Sequence, residues 1–523
     1  MPSPLRPYAR GAVPAPTGPE AAAFDRDAIE SAGVPQAVLM ENAGRAGAAV
    51  LQRLFPAGPV VALVGTGNNG GDALVVLRTL MAWGRDVRGV WVGDRTADDH
   101  LLHGWPVPLE RDSELDEAGW RALLGGAGVL VDGVLGTGAS GAPRERQARA
   151  LARMNAAGRP VVALDVPSGI DAATGAVPGE AARADLTVAF GAPKLGSLLH
   201  PARALVGRLV AVEIGFPPWE RAECGALVAT PTWARARLPI RGTDTHKKAV
   251  GSLLVVAGSM GMAGAAVLAA RAAFRAGVGL VRVCSHAANR EVVQAAVPEA
   301  IWVDASEVTA LRTALEESDA LAVGPGLGTD AASALLLEAV LSGPDRPTVL
   351  DADALNLAAA GRLELVAIAR ARPLLITPHP GEMARLDAAA EAGPAERERP
   401  ATARAAAERF ECAVLLKGAP SVVAAPGAPV LVDSMSSSDL AVAGMGDALT
   451  GVAGALLAQG LDPQLAGAVG LYLTGRAARL AGRGVALVPT DVIRHLPDAL
   501  GERAEPVTDL DLPFVTFDAD AAR

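Results

Sequence analysis

Cysteine, lysine and aromatic residues are all scarce in this chain of 523 residues. The three cysteines, Cys224, Cys284 and Cys412, stand far apart and outside any metal-ligand spacing. That argues against a disulfide framework and reads as small idle thiols. Half the residues are hydrophobic, yet no uninterrupted apolar run is long enough to span a bilayer. The first 18 residues are rich in Pro, Gly and Ala but lack the apolar core of a secretion signal, so a cytoplasmic protein without a membrane partner is expected. Excess positive charge is also missing: a formal charge of −10 argues against a broad nucleic-acid surface. Of 47 basic residues only Lys194, Lys247, Lys248 and Lys417 are lysine, and each lies in or beside a candidate motif. Codon bias with random survivors is one account; a need for a compact, flexible ammonium is the other.

What is abundant is alternation. Short runs of Val, Leu and Ala alternate with longer helical patterns rich in Ala, Leu and Arg, which signals an α/β protein with helix-covered parallel sheets. The length exceeds what one core usually organises, so two domains are expected. In the first half strands should end near Val64, Val92, Val131, Leu164, Phe190 and Val212. In the second they should lie near residues 252–257, 280–284, 320–323, 348–350, 374–376 and 413–416. Periodicity lapses after Phe216-Pro217-Pro218-Trp219. The resulting division is a flexible segment 1–19, a domain 20–217, a linker 218–241, a domain 242–500 and an acidic, loosely held tail 501–523. Residues 388–404 read as a loop and helix cover.

The strand Val60–Val64 runs into Gly65-Thr66-Gly67-Asn68-Asn69-Gly70-Gly71-Asp72 and then an apolar helix. Glycines allow the sharp turn, and the N–H groups of the helix start favour a phosphate. The G-x-G-x-x-G spacing also admits a dinucleotide-binding dehydrogenase, with Asp94 placed for a ribose contact. That pattern does not require Asn68, Asn69 and Asp72, whose extra oxygens suggest a cation or a ribose beside the phosphate.

Asn68-Asn69-Gly70-Gly71-Asp72 resembles the signature of the NAD(P)H-hydrate epimerases, the YjeF N-terminal domain family. Met40-Glu41-Asn42-Ala43-Gly44-Arg45-Ala46, Val131-Asp132-Gly133-Val134-Leu135-Gly136-Thr137-Gly138, Asp165-Val166-Pro167-Ser168-Gly169-Ile170-Asp171 and Phe190-Gly191-Ala192-Pro193-Lys194 resemble its other motifs in order. The resemblance implies a Rossmann-like domain that interconverts R- and S-NADHX and NADPHX. Substrate would be held by residues Asn68, Asn69, Gly70, Gly71 and Asp72, by Gly136, Thr137, Gly138, Ala139, Ser140, Gly141 and Ala142, and by Asp165. K+ would be bound by Asn69, Asp132 and Ser168. Asp165 would assist ring opening and closure; helix capping alone is the plain reading of Asp132 and Ser168.

In the second half Ala443-Gly444-Met445-Gly446-Asp447-Ala448-Leu449-Thr450-Gly451 leads into an apolar helix. Small residues there make an anion pocket of N–H groups, and an aspartate can take a proton from a hydroxyl, the logic of phosphoryl transfer without a Walker loop. The stretch resembles the anion hole of the ribokinase-like fold. Gly258-Ser259-Met260-Gly261-Met262-Ala263-Gly264, Gly324-Pro325-Gly326-Leu327-Gly328, Leu350-Asp351-Ala352-Asp353-Ala354-Leu355-Asn356, Thr377-Pro378-His379-Pro380-Gly381-Glu382 and Leu416-Lys417-Gly418-Ala419 narrow it to the ADP/ATP-dependent NAD(P)H-hydrate dehydratases.

That second resemblance implies Asp447 as base and Ala263, Gly326, His379 and Asp447 at the NADPHX pocket. ADP would meet Lys417, Gly418, Ala419, Pro420, Ser421 and Gly446, with Mg2+ accompanying it. S-NAD(P)HX would be dehydrated with release of AMP and phosphate, and a homo-oligomer is expected. Asp351 and Asp353 either cap a helix or lie near nucleotide or metal. Ser436-Ser437-Ser438, Val442, Ala73, Gly133-Val134 and His246-Lys247-Lys248 depart from the family pattern. Two rivals stay open: a small-molecule kinase with the first half as regulator, and a first half that only binds or dimerises.

Overall fold

Val60–Val64 is buried along its whole length, and its alternate side chains serve two cores. Val60, Ala62 and Val64 pack with the helices Gln36–Leu54 and Asn68–Ala82, whereas Val61 and Leu63 pack with Glu117–Gly125 and Glu145–Ala156. A strand covered on both faces has no polar side, so it reads as a continuous apolar run and implies three layers. The computed structural model describes residues 13–94, 100–217, 224–242, 244, 250–387, 399–502 and 509–521. The chain forms two compact units, residues 1–226 with 505–523 and residues 227–504.

In the first unit the strand order is Val515–Ala519, Arg208–Val212, Leu186–Phe190, Val161–Leu164, Val129–Gly133, Val60–Val64, Val87–Trp91, Leu109–Arg111. Only the pairing of Val515–Ala519 with Arg208–Val212 is antiparallel. Chain order reverses between Val60–Val64 and Val129–Gly133, the kind of crevice in which open α/β sheets bind ligands.

The sheet of the second unit runs Ala226–Ala229, Val430–Asp433, Val422–Ala424, Ala413–Leu416, Leu374–Ile376, Thr348–Leu350, Ala320–Val323, Ser252–Val256, Leu280–Ser285, Ile301–Asp304. It is parallel from Ala413–Leu416 to Ile301–Asp304. The helices Ala263–Arg275 and Met445–Ala458 cross almost backbone to backbone: a Cβ at Gly451 would lie 2.1 Å from the Ala269 carbonyl oxygen. Small residues in both helices therefore bring their N-termini to the same end of the sheet.

Several expectations need correction. The tail is not loose over its described part: Leu510, Val515 and Phe517 are buried, and Arg208 grips Asp509 and Asp518 at 2.7 Å each. Its acidic composition hides an apolar alternation at 515 and 517 that one sheet face buries. Residues 1–12 are outside the described part of the chain, but Thr17 caps the helix Gly18–Arg26 inside the segment read as flexible. The stretch read as a linker holds the strand Ala226–Ala229 and the helix Pro231–Arg235; residues 218–223 are not described. Residues 388–398 are likewise outside, as is His246-Lys247-Lys248, while Arg399–Phe410 is the expected covering helix. The strand Leu109–Arg111 escapes a sequence reading because its edge position leaves Glu110 exposed.

Deleting residues 509–523 strips three buried side chains from the edge of the first sheet, a loss of about 4.5 kcal/mol or more at roughly 1.5 kcal/mol each. Urea unfolding of the truncated chain should show a lowered midpoint for the first unit. An unchanged midpoint would make the last strand a bystander.

Candidate active sites

The first site sits at the carboxyl ends of its sheet. Pairing of Val64 with Gly133 carries Gly65 across Val134, and a Cβ at 65 would lie 1.9 Å from the Val134 carbonyl oxygen. Only glycine lets the two loops cross. Gly67 then caps the helix Asn68–Ala82, whose first N–H groups are available to an anion. A cavity of about 500 Å³ opens here, lined by Asp25, Asn68, Asn69, Asp72, Gly136, Thr137, Gly138, Ala139, Asp165 and Lys194 among others. Gly70 and Gly71 do not line it. Their Cβ positions lie 2.0 Å from the Gly65 carbonyl oxygen and 2.8 Å from the Met40 side chain, so they serve packing. Ser140, Gly141 and Ala142 also lie beyond its lining.

Asp165 follows the strand Val161–Leu164 with φ at 63°, a left-handed state that costs a side-chain-bearing residue about 1–2 kcal/mol. Its carboxylate is ion-paired with Lys194 and accepts the Phe190 N–H at 3.3 Å. Lys194, only 4 % exposed, also donates to the Phe190 carbonyl at 2.8 Å. Asp94, the ribose candidate of the dehydrogenase reading, instead meets Arg146 at 2.9 Å and is exposed.

Asp132 is fully buried and caps no helix. It accepts the Ser168 N–H at 2.7 Å, the Ser168 hydroxyl at 2.6 Å and the Val134 N–H at 3.2 Å. Burial pushes its carboxyl up to about 6, with those hydrogen bonds pulling the other way. The Leu135 carbonyl accepts Asn69 Nδ2 at 2.7 Å and lies 3.2 Å from Ser168 Oγ. Asn69 Oδ1 is buried with no hydrogen-bond partner among the described residues. A stranded amide oxygen beside a buried carboxylate and a hydroxyl is a set of hard oxygen donors that fits a monovalent cation.

In the second unit Gly444, with φ at 85°, caps the helix Met445–Ala458 and places Asp447 in its first turn. Burial pushes the Asp447 carboxyl up to about 6; the negative charge of Asp351 adds to this and Lys417 opposes it. Lys417 Nζ meets Asp351 Oδ1 at 2.5 Å, and the Thr450 hydroxyl donates to Asp351 Oδ2 at 2.7 Å. A Cβ at Gly446 would come within 3.3 Å of Lys417 Nζ, so the ammonium lies directly under the helix start. Asp351 is thus not a helix cap. Neither is Asp353, which accepts the Gly328 N–H at 2.9 Å and Asn356 Nδ2 at 3.1 Å and ties two loops together.

Around this centre, a Cβ at Gly326 would lie 3.1 Å from the side chains of Met262 and Ala265, which flank Ala263 at the start of its helix. His379 caps the helix Pro380–Leu386: Nδ1 accepts the N–H groups of Gly381 and Glu382 at 3.0 and 3.3 Å, with about half the side chain left exposed. Gly418 lies under the Arg399 guanidinium, which donates to the Lys417 carbonyl at 2.7 Å. Ser421 accepts the Gly418 N–H at 3.1 Å. Ser436, one of the departures from the family pattern, donates to Asp433 at 2.6 Å and accepts the Ser421 N–H at 3.3 Å, so it supports the same loop. Cys284 and Cys412 are buried, which pushes both thiols up to about 12, in keeping with idle cysteines.

Sequence reasoning misses Asp25 and Arg399, which lie in none of the motifs, and gives no role to Thr450 although it stands in the motif of Asp447. Lys194 was singled out by the scarcity of lysine but given no place in the site.

Comparison with known proteins follows the same division. Residues 36–196 match the family described as YjeF-related protein N-terminus, and residues 253–498 match NAD(P)H-hydrate dehydratase. The bifunctional NAD(P)H-hydrate repair enzyme Nnr of Salinibacter ruber is 38% identical over 92% of this chain and 95% of its own. That of Escherichia coli is 34% identical over 90% and 91%. Among solved structures, the ADP/ATP-dependent NAD(P)H-hydrate dehydratase from Bacillus subtilis, co-crystallized with ATP/Mg2+, is 28% identical with a TM-score of 0.45, covering 52% of this chain and 96% of that one.

Thr450→Val preserves shape while removing one hydrogen bond from buried Asp351, which should cost about 1–3 kcal/mol. Urea unfolding of the second unit reads this directly. A change within experimental error would mean that Lys417 alone satisfies the carboxylate.

Proposed function

Because the chain belongs to the bifunctional NAD(P)H-hydrate repair enzymes, we propose that its first unit carries the epimerase site and its second the dehydratase site. The enzyme epimerises R- and S-NAD(P)HX and dehydrates the S form to NAD(P)H with ADP, giving AMP and phosphate. The observation that carries the residue assignment is Asp447, a carboxyl held near 6 in the first turn of a helix capped by Gly444. A base poised near neutrality removes a proton without losing driving force.

In this reading Asp447 takes the proton of the substrate hydroxyl as that oxygen attacks the terminal phosphorus of ADP. The N–H groups at Gly444 to Gly446 hold the charge that develops, and Lys417 approaches the phosphates from below. AMP departs. The hydroxyl, a poor leaving group, has become a phosphate ester; loss of phosphate with the neighbouring ring proton restores the double bond. Ala263, Gly326 and His379 bound the substrate, and the loop of Gly418, Ala419, Pro420 and Ser421 holds the nucleotide. Among the described residues no group of three or more His, Cys, Asp or Glu converges on a metal position. Mg2+ would accompany the nucleotide phosphates and offset their charge, an ion that needs one or two carboxylates beside the substrate oxygens.

In the first unit the helix start at Asn68 and the Gly136–Ala139 loop receive the phosphates of NADHX or NADPHX, and Asp165 faces the hydrated ring. K+ bound through Asn69, Asp132 and Ser168 would tie three loops together and offset negative charge beside the phosphates. The proposal extends to a homo-oligomer in the cytoplasm; no helix among the described residues is long and apolar enough to cross a membrane.

Asp447→Asn should lower dehydration roughly 10²- to 10⁴-fold and spare epimerisation. Asp165→Ala should do the reverse, leaving S-NADHX dehydration intact while a mixed epimer pool is only partly repaired quickly. Chromatography of both epimers with and without ADP separates the two, and near-normal dehydration by folded Asp447→Asn would refute the assignment. Since the base must be ionised, dehydration should fall as pH drops through about 6. Exchanging K+ for Li+ should slow epimerisation alone.

A further inference from the structure

The helix Gly18–Arg26 belongs to no motif, yet it forms one wall of the first cavity. It is fixed there rigidly. Thr17 and Glu20 form a reciprocal cap, with the Thr17 N–H donating to Glu20 Oε2 at 2.7 Å, and Glu20 Oε1 accepts the Gly225 N–H at 2.8 Å. A Cβ at Gly18 would lie 2.9 Å from the Thr137 carbonyl oxygen, so the helix presses directly on the loop that begins at Gly136. The Leu195 N–H donates to the Pro16 carbonyl at 2.9 Å, which ties the helix start to the residue next to Lys194. Phe24 is buried, and its neighbour Asp25 reaches the cavity shared by Asp165 and Lys194.

We propose that Asp25 is a second catalytic carboxylate of this cavity, exchanging a proton with the ring nitrogen of the hydrated nicotinamide while Asp165 exchanges one with the ring hydroxyl. This rests on the epimerase reading of the first unit. Asp25 keeps solvent access while the cavity walls partly desolvate it, which raises its carboxyl above the ordinary value; Lys194 opposes the rise and Asp165 adds to it. Two carboxyls in one cavity, one ion-paired with lysine and one raised by its surroundings, are suited to opposite proton roles. Asp72, a further acid of the lining, lies instead past the first turn of the helix whose start faces the phosphates.

The chemistry balances without a redox partner. The hydroxyl-bearing carbon is bonded to the ring nitrogen. Asp165 takes the hydroxyl proton as the carbon–nitrogen bond breaks, and the bonding pair stays on nitrogen, which takes the proton of Asp25. The products are an aldehyde and a secondary enamine. Rotation about the adjoining carbon–carbon bond presents the other face of the aldehyde. Nitrogen then attacks, returning its proton to Asp25 while oxygen recovers one from Asp165, and the carbon is inverted.

The test uses the full chain and purified R-NADHX without ADP, at a pH where spontaneous epimerisation is slow. Asp25→Asn should lower kcat by about 10²-fold or more while KM changes little, and Asp25→Glu should restore part of the rate. Dehydration of S-NADHX with ADP and the unfolding midpoint should match the unsubstituted protein. If Asp25→Asn epimerises normally while Asp165→Ala does not, the second carboxylate is wrong and the epimerase reading stands. If both epimerise normally, that reading of the cavity falls as well. A loss accompanied by raised KM and a lowered midpoint, without recovery in Asp25→Glu, would make Asp25 a structural residue and overturn the proposal.

Discussion

Each candidate site is organised by an ion pair between a lysine and an aspartate at the end of a parallel strand: Lys194 with Asp165, and Lys417 with Asp351. Asp351 is 1 % exposed in its side chain and Lys194 5 %, so neither charge has water to fall back on. Removing one partner from such a pair costs about 3–5 kcal/mol, because the other is left buried and uncompensated. The surroundings are built to keep the pairs intact. Phe190 offers its carbonyl to Lys194 and its N–H to Asp165, and Thr450 donates to Asp351. The scarcity of lysine becomes intelligible here. With Gly446 only 3.3 Å from Lys417 Nζ by its Cβ position, a compact ammonium fits where a planar guanidinium would collide with the helix start.

Around those pairs, backbone proximity does most of the positioning. Gly65 over Val134 and Gly451 over Ala269 permit approaches that any side chain would prevent. The first crossing brings the loops after two central strands together, and the second brings together the starts of two helices. In both units the consequence is the same: helix N–H groups, a carboxylate and a lysine gather at the carboxyl ends of the strands, where an anionic ligand is stabilised by dipoles already in place.

The glycines of Asn68-Asn69-Gly70-Gly71-Asp72 show how a motif mixes two demands. Asn68, Asn69 and Asp72 reach the cavity, while Gly70 and Gly71 are required by Gly65 and Met40. His379 is similar, since one ring nitrogen caps its own helix and the other stands 3.5 Å from Glu382, with about half the side chain exposed. The Ser436 to Ser438 departure finds a partial physical account: Ser436 bridges Asp433 and the Ser421 backbone, so the loop keeps a support.

The sequence by itself determined the α/β class, most strands and the motifs at their ends, because a strand buried on both faces must be continuously apolar and a tight turn into a helix must be glycine-rich. Ala320–Val323, Thr348–Leu350, Leu374–Ile376 and Ala413–Leu416 fall where apolarity places them. Tertiary structure alone decided what depended on distant partners. The strand Val515–Ala519 looks like an acidic tail until Arg208 and the sheet edge are beside it. Asp25 looks like one more helical acid until its helix meets the Thr137 loop and shares a cavity with Lys194. Asp132 looks like a helix cap until Ser168, 36 residues later, takes both of its oxygens. Local pattern records what a residue needs from its neighbours in the chain; charge compensation and close backbone crossing are settled between segments that meet only after folding.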